Sequence, residues 1–270
     1  MLARQPQERR NQDPNSGALS TRVTNMASRF LARRSRSKLL ALRGTPPMVT
    51  FTFDDVPASA CERGARILEE HGARGTFYVA GGARGAQGGG PPPASIDQLR
   101  AVWEKGHEIG CHTYSHPAVR YMTFEEIGAE LDRNQSALRK IDGDIVVRNF
   151  AYPYGDLSVR TKRYCESRFD SCRSGHAGIN RGRADLGALA AWPLQNAVLD
   201  RMKIADLIAK TARTGGWLIF FSHDVAERPS KYGVTPDLLK CAADAAKRAG
   251  CTLASVADSL ELIRDRARAA

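Results

Sequence analysis

Short runs of apolar and β-branched residues alternate with longer amphipathic stretches from residue 45 onward. A short apolar run is typical of a strand buried on both faces, and an apolar position every three or four residues predicts a helix. The alternation of the two favours an α/β fold with a parallel sheet. The predicted strands are 48–53, 76–79, 106–111, 146–152, 170–174, 217–221 and 251–254.

The stretches between these strands predict helices over residues 58–71, 123–141, 157–169, 201–214, 236–249 and 256–266, with another that begins after Ser95. Ser95 with Gln98, and Thr123 with Glu126, have the spacing of a capping box. In a capping box, a hydroxyl and an acid or amide side chain satisfy the first turn of a helix reciprocally. Two of the helix starts are therefore predicted to within a residue.

Polar residues stand at the carboxyl ends of four predicted strands. They are Asp54 with Asp55, His112 with His116, the segment 152–154, and His223. In a parallel α/β barrel these ends meet on one face, where active sites are built. Two histidines four residues apart, joined by a carboxylate from another strand, can hold a metal ion and leave positions open for water and substrate. The alternatives are a solvated Asp turn and histidines without a ligand, which each cluster alone permits.

The net charge of +11 is concentrated at the N-terminus. Residues 1–44 carry ten lysines and arginines against two acids, so the rest of the chain accounts for only +3. We predict a basic, disordered tail over residues 1–44 and a folded domain over 45–270, with Met26 as an alternative start. Because the excess charge belongs to the tail, nucleic acid is not a predicted partner. The Arg-rich tail predicts at most a weak contact with a membrane surface.

The chain contains no apolar run near the ~20 residues that span a bilayer, and no apolar segment follows the first arginines as in a secretory signal. Six cysteines are scattered without close pairs, which is typical of free thiols in a reducing compartment. These observations predict a cytoplasmic protein, with peripheral membrane association through the tail as an option.

The ordered set TFDD, HTYSH, AYPYG and FFSHD resembles the polysaccharide deacetylase family, also called the NodB-homology or carbohydrate esterase 4 group. The similarity covers residues 48–258. The resemblance implies a distorted (β/α) barrel of about seven strands with its site at the carboxyl ends. It also implies a divalent metal, often zinc, and hydrolysis of an N- or O-acyl group on a sugar.

The resemblance assigns a role to each polar cluster. The implied metal ligands are Asp55, His112 and His116. Asp54 resembles the general base that takes a proton from the attacking water, and His223 resembles the general acid for the leaving group. The backbone N–H of Tyr154 would stabilise the oxyanion of the tetrahedral intermediate.

The chain departs from the family pattern in three places. Val56 stands where a Gly usually follows the second Asp, and Ala151 stands where an Arg that pairs with the base opens the third motif. We predict that Arg173, at the end of the next strand, replaces that Arg, because a guanidinium can hold a carboxylate with two hydrogen bonds. The alternative is that Arg173 is a surface residue. The fourth motif, Asp-x-x-Asp-Trp, is not intact, since Asp185 and Trp192 have the wrong spacing.

The sequence therefore predicts a metal-dependent hydrolase that removes an N-acyl group from an amino sugar of a glycan or glycan precursor. Acetyl is the predicted acyl group. His176 is a further candidate for contact with substrate. The alternative is a non-catalytic carbohydrate-binding barrel derived from the same family, which the lost Arg and the altered fourth motif permit. Retention of both aspartates and of His112, His116 and His223 favours the enzyme.

Overall fold

The computed structural model describes residues 28, 30–32, 34–82 and 90–269 of the chain. Within these residues the strands are β1 (Leu39–Ala41), β2 (Met48–Asp54), β3 (Thr76–Val79), β4 (Glu108–Cys111), β5 (Asn149–Ala151), β6 (Ser171–Arg173), β7 (Arg183–Asp185), β8 (Trp192–Pro193), β9 (Trp217–Ser222) and β10 (Thr252–Leu253). The helices are α1 (Ala65–Glu70), α2 (Ile96–Glu104), α3 (Phe124–Leu138), α4 (Val159–Arg168), α5 (Arg201–Thr214), α6 (Pro236–Arg248) and α7 (Val256–Ala269). All the predicted strands and helices are present.

Both predicted capping boxes are formed. Ser95 Oγ accepts a hydrogen bond from the Gln98 N–H, and the Gln98 side chain accepts one from the Ser95 N–H. Thr123 and Glu126 cap α3 in the same reciprocal way. A cap of this kind contributes about 1 kcal/mol and determines where the helix begins.

The main sheet is parallel throughout and curls into a barrel. Its strands lie in the order β6-β5-β4-β3-β2-β9-β8, and β10 pairs with the first residues of β2. Just before β8, the Leu189 N–H donates to Cys172 O at 2.8 Å, and Leu189 O accepts from the Ser174 N–H at 2.9 Å. Residues 189–193 thus contact both edges of the sheet, because β8 itself pairs with β9. The distorted (β/α) barrel of about seven strands that the sequence predicts is confirmed.

The alternation of side chains along β2 separates the core from the barrel interior. All seven residues of the strand are buried. Val49, Phe51 and Phe53 belong to the largest hydrophobic cluster, which they share with residues of α1, α2, α5 and α6. Because successive side chains point to opposite faces of a strand, Asp54 follows Phe53 on the other face, toward the barrel interior. Burial of each large apolar side chain contributes about 1.5–3 kcal/mol, which is enough to fix this register.

The N-terminal segment joins the fold earlier than the sequence suggests. Residues 39–41 fall within the predicted tail, yet they form β1 and pair antiparallel with β7. Lys38 Nζ also donates to the carbonyls of Glu166 and Phe169, at 3.0 and 2.6 Å. The tail predicted over residues 1–44 therefore overlaps the fold at its end, and its first 27 residues lie outside the described part of the chain. Among the described residues, no helix combines the length and apolar character needed to cross a membrane.

Candidate active site

The turn that follows β2 brings both aspartates to the mouth of the barrel. Asp54 is the last residue of the strand and is 5% exposed. Asp55 and Val56 then both adopt left-handed backbone conformations, with φ of 56° and 46°. Two consecutive left-handed residues turn the chain sharply without Gly, and Asp55 comes to lie among three histidines from two other strand ends.

Asp55, His112 and His116 form a cluster with the geometry of metal ligands. Their nearest ligand atoms all lie within 4.8 Å of one another. The distances from Asp55 Oδ1 to the Nε2 atoms of His112 and His116 are 3.8 and 3.5 Å. His112 Nδ1 lies 2.8 Å from Ala151 O. Because a carbonyl can only accept, Nδ1 donates this hydrogen bond, and the neutral form of the ring therefore has its lone pair on Nε2, the nitrogen nearer Asp55.

The protonation of the cluster also fits a divalent cation. Burial lowers the pKa of His116 to about 4, so its imidazole is neutral at pH 7. Burial alone would raise the pKa of Asp55, but electrostatic interaction with the neighbouring imidazoles, His116 first among them, and with the Arg173 guanidinium brings the pKa below its ordinary value. Asp55 Oδ1 is buried and has no hydrogen-bond partner within the described residues. A neutral imidazole at His116, a second imidazole at His112 and an ionised carboxylate oxygen without a hydrogen-bond partner form a donor set that such an ion can use.

Backbone strain is concentrated around this cluster. Within the described part of the chain, the non-glycine residues with positive φ are Asp55, Val56, Thr113, His116 and Tyr154. All five lie in the loops that follow β2, β4 and β5. Such conformations cost of the order of 1–3 kcal/mol each and persist where the surrounding structure holds them, characteristically at functional sites. The strain is an independent indication that these three loops form one site.

Arg173 contacts Asp54 from the strand next to the one that carries Ala151. Arg173 Nη2 donates to Asp54 Oδ2 at 2.5 Å, and Arg173 is 1% exposed. Its guanidinium also lies over the rings of Phe221 and Tyr78, at 4.7 and 5.4 Å from their centroids. Ala151 and Arg173 are paired in register between β5 and β6, so both occupy the same height in the barrel. The predicted contact between Arg173 and Asp54 is present, but with one hydrogen bond instead of two, because Nη1 donates to Ser174 O. The alternative of a surface arginine is wrong, and a role in catalysis stays a prediction.

Tyr154 lies in a tight turn beside the histidines. Its φ is 59°, and its ring packs edge-on against His116, with the centroids 4.6 Å apart. The next residue, Gly155, is also left-handed, and a Cβ there would stand 2.6 Å from the backbone of Gly175. Only Gly fits such an approach. The turn therefore holds the Tyr154 ring beside His116.

His223 completes the ring of imidazoles around Asp55. Its Nε2 lies 3.8 Å from Asp55 Oδ2. Its ring packs against Tyr232, with centroids 5.3 Å apart, and its Nδ1 is buried with no hydrogen-bond partner among the described residues. Asp185, the last residue of β7, forms an ion pair with Lys162, with 2.6 Å between Asp185 Oδ2 and Lys162 Nζ. Asp185, the candidate from the altered fourth motif, is therefore engaged by Lys162, and Tyr232 packs against the His223 ring.

Two further candidates have contacts of their own. His176 Nδ1 lies 2.5 Å from Ser174 Oγ, on the loop that follows Arg173. Trp192 lies in β8 beside Phe220 and packs against the largest hydrophobic cluster. Trp192 therefore has a structural position rather than one facing the histidines.

Sequence reasoning missed Tyr232 and Glu130. Tyr232 reaches His223 from a loop whose path no local pattern predicts. Glu130 left a clearer signal, because it shares the inner face of α3 with Ile127, Leu131 and Asn134. An acid on a buried helix face is rare unless a partner satisfies it, so its position in the helix pattern indicated a role.

A parallel barrel that gathers two histidines and an aspartate at the carboxyl ends of its strands has the arrangement in which α/β barrels carry their active sites. Comparison with protein families gives the particular class. Residues 42–167 match the family model described as "Polysaccharide deacetylase". Over these residues the chain is similar to the polysaccharide deacetylase family, so the resemblance predicted from the motifs is confirmed.

Individual proteins agree with this assignment. The chain is 34% identical over 113 residues to a chitooligosaccharide deacetylase from Azorhizobium caulinodans, which is 42% of this chain and 50% of that protein. The chain spans half or less of the length of the first curated relatives it matches. The remaining residues of those relatives are not matched by this chain.

Solved structures share the fold. The Xyl-CE4 domain of a multidomain xylanase from the hindgut metagenome of Trinervitermes trinervoides superposes with a TM-score of 0.57 at 19% identity, covering 82% of this chain and 92% of that one. A CE4 family pseudoenzyme from Bacillus anthracis superposes with a TM-score of 0.55 at 16% identity, covering 85% of this chain and 69% of that one. At these identities the likeness establishes the barrel and leaves the activity to be argued from the site.

Proposed function

We propose that this chain is a metal-dependent deacetylase that hydrolyses the N-acetyl group of an amino sugar in a glycan or glycan precursor. One observation carries the proposal: Asp54, Asp55, His112, His116 and His223 all converge at one barrel mouth. The relatives named as deacetylases support the choice of reaction and of an acetylated sugar as substrate.

The proposed ligands of the ion are Asp55, His112 and His116. Two imidazoles and one carboxylate suit Zn²⁺, which we propose as the metal. When bound, such an ion lowers the pKa of a water molecule and polarises the acyl carbonyl. The left-handed turns at Asp55 and His116 hold the ligands at the cleft in advance, so little reorganisation is needed for binding.

Asp54 is the proposed general base. Its Oδ1 is buried without a hydrogen-bond partner in the described structure, while its Oδ2 is held by Arg173. This division suits the role, because one oxygen is anchored and the other is left to take a proton from the attacking water. Arg173 is itself held between two aromatic rings, so the carboxylate has a rigid support.

The remaining groups act on the far side of the scissile bond. As water adds to the acyl carbon, the backbone N–H of Tyr154 stabilises the negative charge that develops on the acyl oxygen. His223 then donates a proton to the sugar nitrogen as the carbon–nitrogen bond breaks. The products are a carboxylic acid and the free amino sugar, so no further co-reactant is required.

A second candidate function is carbohydrate binding without catalysis. The absence of an arginine at Ala151 and the altered fourth motif favour it, and a pseudoenzyme shares the fold. The Arg173–Asp54 contact weighs against it, because a buried ion pair is costly to maintain and here holds the proposed base. The two candidates differ in one measurable respect, which is turnover.

We propose a cytoplasmic location and a soluble or lipid-linked precursor as substrate. The observation that supports it is that the six cysteines of the chain are all free. We further propose that the basic residues before β1 make no contact with nucleic acid and at most a weak contact with membranes. Removing residues 1–27 should leave hydrolysis unchanged and abolish any binding to anionic vesicles.

The experiment that tests the main proposal measures acid released from a panel of N-acetylated and N-formylated amino sugars and short glycans. Activity should disappear when the metal is removed by chelation and return when Zn²⁺ is added. The matched control is His112→Ala, which should stay inactive after the metal is restored. Binding of a glycan by the wild type without release of acid would favour the non-catalytic alternative.

A further inference from the structure

The loop that carries both ligand histidines needs an anchor. It runs from His112 to His116, and Thr113 and His116 both hold left-handed backbone, with φ of 64° and 56°. Neither residue is a glycine, so the loop does not favour this path by itself. Without a group that compensates for the strain, the two imidazoles would not be held at their present distances from Asp55.

Glu130 of α3 supplies such a group. Its Oε2 accepts hydrogen bonds from two consecutive backbone N–H groups in the middle of the loop, those of Tyr114 at 3.1 Å and Ser115 at 2.7 Å. Glu130 is 8% exposed, and its other oxygen lies 3.8 Å from Arg133 Nη1. Hydrogen bonds from backbone N–H groups to a nearly buried carboxylate are among the strong ones in proteins.

The same helix fixes the neighbouring strand end. One turn after Glu130, the amide of Asn134 donates to Val79 O at 2.9 Å and accepts from the Gly81 N–H at 2.8 Å. The inner face of α3 therefore forms hydrogen bonds with the backbone of the histidine loop and with the backbone at the end of β3. These contacts tie the position of the loop to a rigid helix rather than to other loops.

We propose that Glu130 is a positioning residue for the metal site, acting through the backbone of the His112–His116 loop without contacting the ion. The inference rests on the proposed function, because it assumes that the histidines bind a divalent metal. A carboxylate at this place holds two N–H groups between the two ligands, so its removal frees the loop to relax toward less strained backbone. The ligand geometry is then lost before the fold is.

The test measures the affinity of the full-length, metal-free protein for Co²⁺ by competition with a chromophoric chelator. Glu130→Met removes the acceptor at similar volume and should weaken Co²⁺ binding about 10–100-fold, as loss of an orienting partner does at other metal sites. Glu130→Gln keeps an acceptor oxygen without the charge, and its affinity should lie between those of the wild type and the Met variant. The visible absorption of bound Co²⁺ should change in the same order.

Glu126→Met is the matched control. Glu126 lies on the same helix and also accepts a backbone hydrogen bond, from the Thr123 N–H at 2.9 Å, but in the capping box. Its loss should lower thermal stability yet change Co²⁺ affinity less than twofold. A purely structural role for Glu130 would give both Met variants the same result.

Several outcomes would overturn the inference. The inference is wrong if Glu130→Met binds Co²⁺ as tightly as the wild type. If that variant does not fold, the inference is wrong if Glu130→Gln has both the affinity and the Co²⁺ spectrum of the wild type. A wild-type protein that bound no Co²⁺ would remove the premise and the inference with it. Ordered losses of affinity in a protein that released no acid from any sugar would refute the proposed function and leave the inference standing.

Discussion

Val56 offers a direct measure of the strain at the site. It is 1% exposed, belongs to the largest hydrophobic cluster and has a φ of 46°. Burial of its side chain stabilises the folded state. Its left-handed backbone destabilises the folded state, by about 1–2 kcal/mol for a residue other than glycine. The two effects can be separated by truncating the side chain in two steps, first to Ala and then to Gly.

The first step, Val56→Ala, should destabilise the protein by about 1–3 kcal/mol, from the lost methyl groups and the cavity they leave. At an ordinary buried position, the second step from Ala to Gly costs a further 1–2 kcal/mol or so, for the last methyl and the added freedom of the unfolded chain. At Val56, the relief of left-handed strain is of similar size. Val56→Gly should therefore be about as stable as Val56→Ala.

Val79 is the control position. It ends β3, is also 1% exposed and lies in the same hydrophobic cluster, but it does not have a positive φ. The assay is urea denaturation of all four variants in the metal-free state, with the free energies of unfolding compared at a common slope. The step from Ala to Gly should cost about 1–2 kcal/mol more at Val79 than at Val56. Equal costs at the two positions would refute the assignment of strain to the turn after β2.

Four further predictions concern the site itself. His112→Ala should lose stoichiometric metal by elemental analysis with the fold retained, and full occupancy would remove His112 from the ligand set. Asp54→Asn and His223→Ala should keep the metal and lose most of the turnover, since each removes a group that transfers a proton; near-normal kcat would contradict the role of that residue. Arg173→Ala should lower turnover and move the acidic limb of the pH–rate profile to higher pH at unchanged metal content, with partial rescue by Arg173→Lys, because Lys has the charge without the planar fork. The metal-free protein should lose stability as the pH falls from 6.5 toward 4, because His116 in the unfolded chain takes up a proton near its ordinary pKa of 6.5 and in the fold only at about 4; His116→Asn should flatten this slope in thermal melts, and an unchanged slope would show that another group is responsible.

The sequence predicts a helix or strand well where the residues of that segment alone indicate both its type and its ends. The strand of residues 76–79 is found over the same residues, and α5 likewise, because apolar runs and capping residues mark their ends. Strand 146–152 is shorter than predicted, Asn149–Ala151, since Val146 is 65% exposed and lies in the irregular segment before the strand. The strands β1, β7 and β8 are two or three residues long and form only by pairing with distant segments, so no local period reveals them.

Some contacts of the candidate site could be predicted from the sequence, and others could not. The cluster of Asp55 and the histidines follows from motifs at strand ends, and the Arg173–Asp54 contact follows from the need of a buried carboxylate for a cation. The left-handed backbone at Val56 and the approach of Tyr232 to His223 could not be predicted, because both depend on how the loops settle against the finished barrel. Local sequence determines which groups reach the mouth of the barrel, and tertiary packing determines what holds them there.

The pairing of Ala151 with Arg173 across β5 and β6 has a consequence for how related sequences are interpreted. Two side chains at one height on adjacent strands compete for the same space beside Asp54, so a second guanidinium would crowd the first and leave one positive charge unmatched. An arginine at one position should therefore accompany a small residue at the other. A search that demands arginine in the third motif alone would pass over chains such as this one, although a positive charge is present beside the first aspartate, on the neighbouring strand.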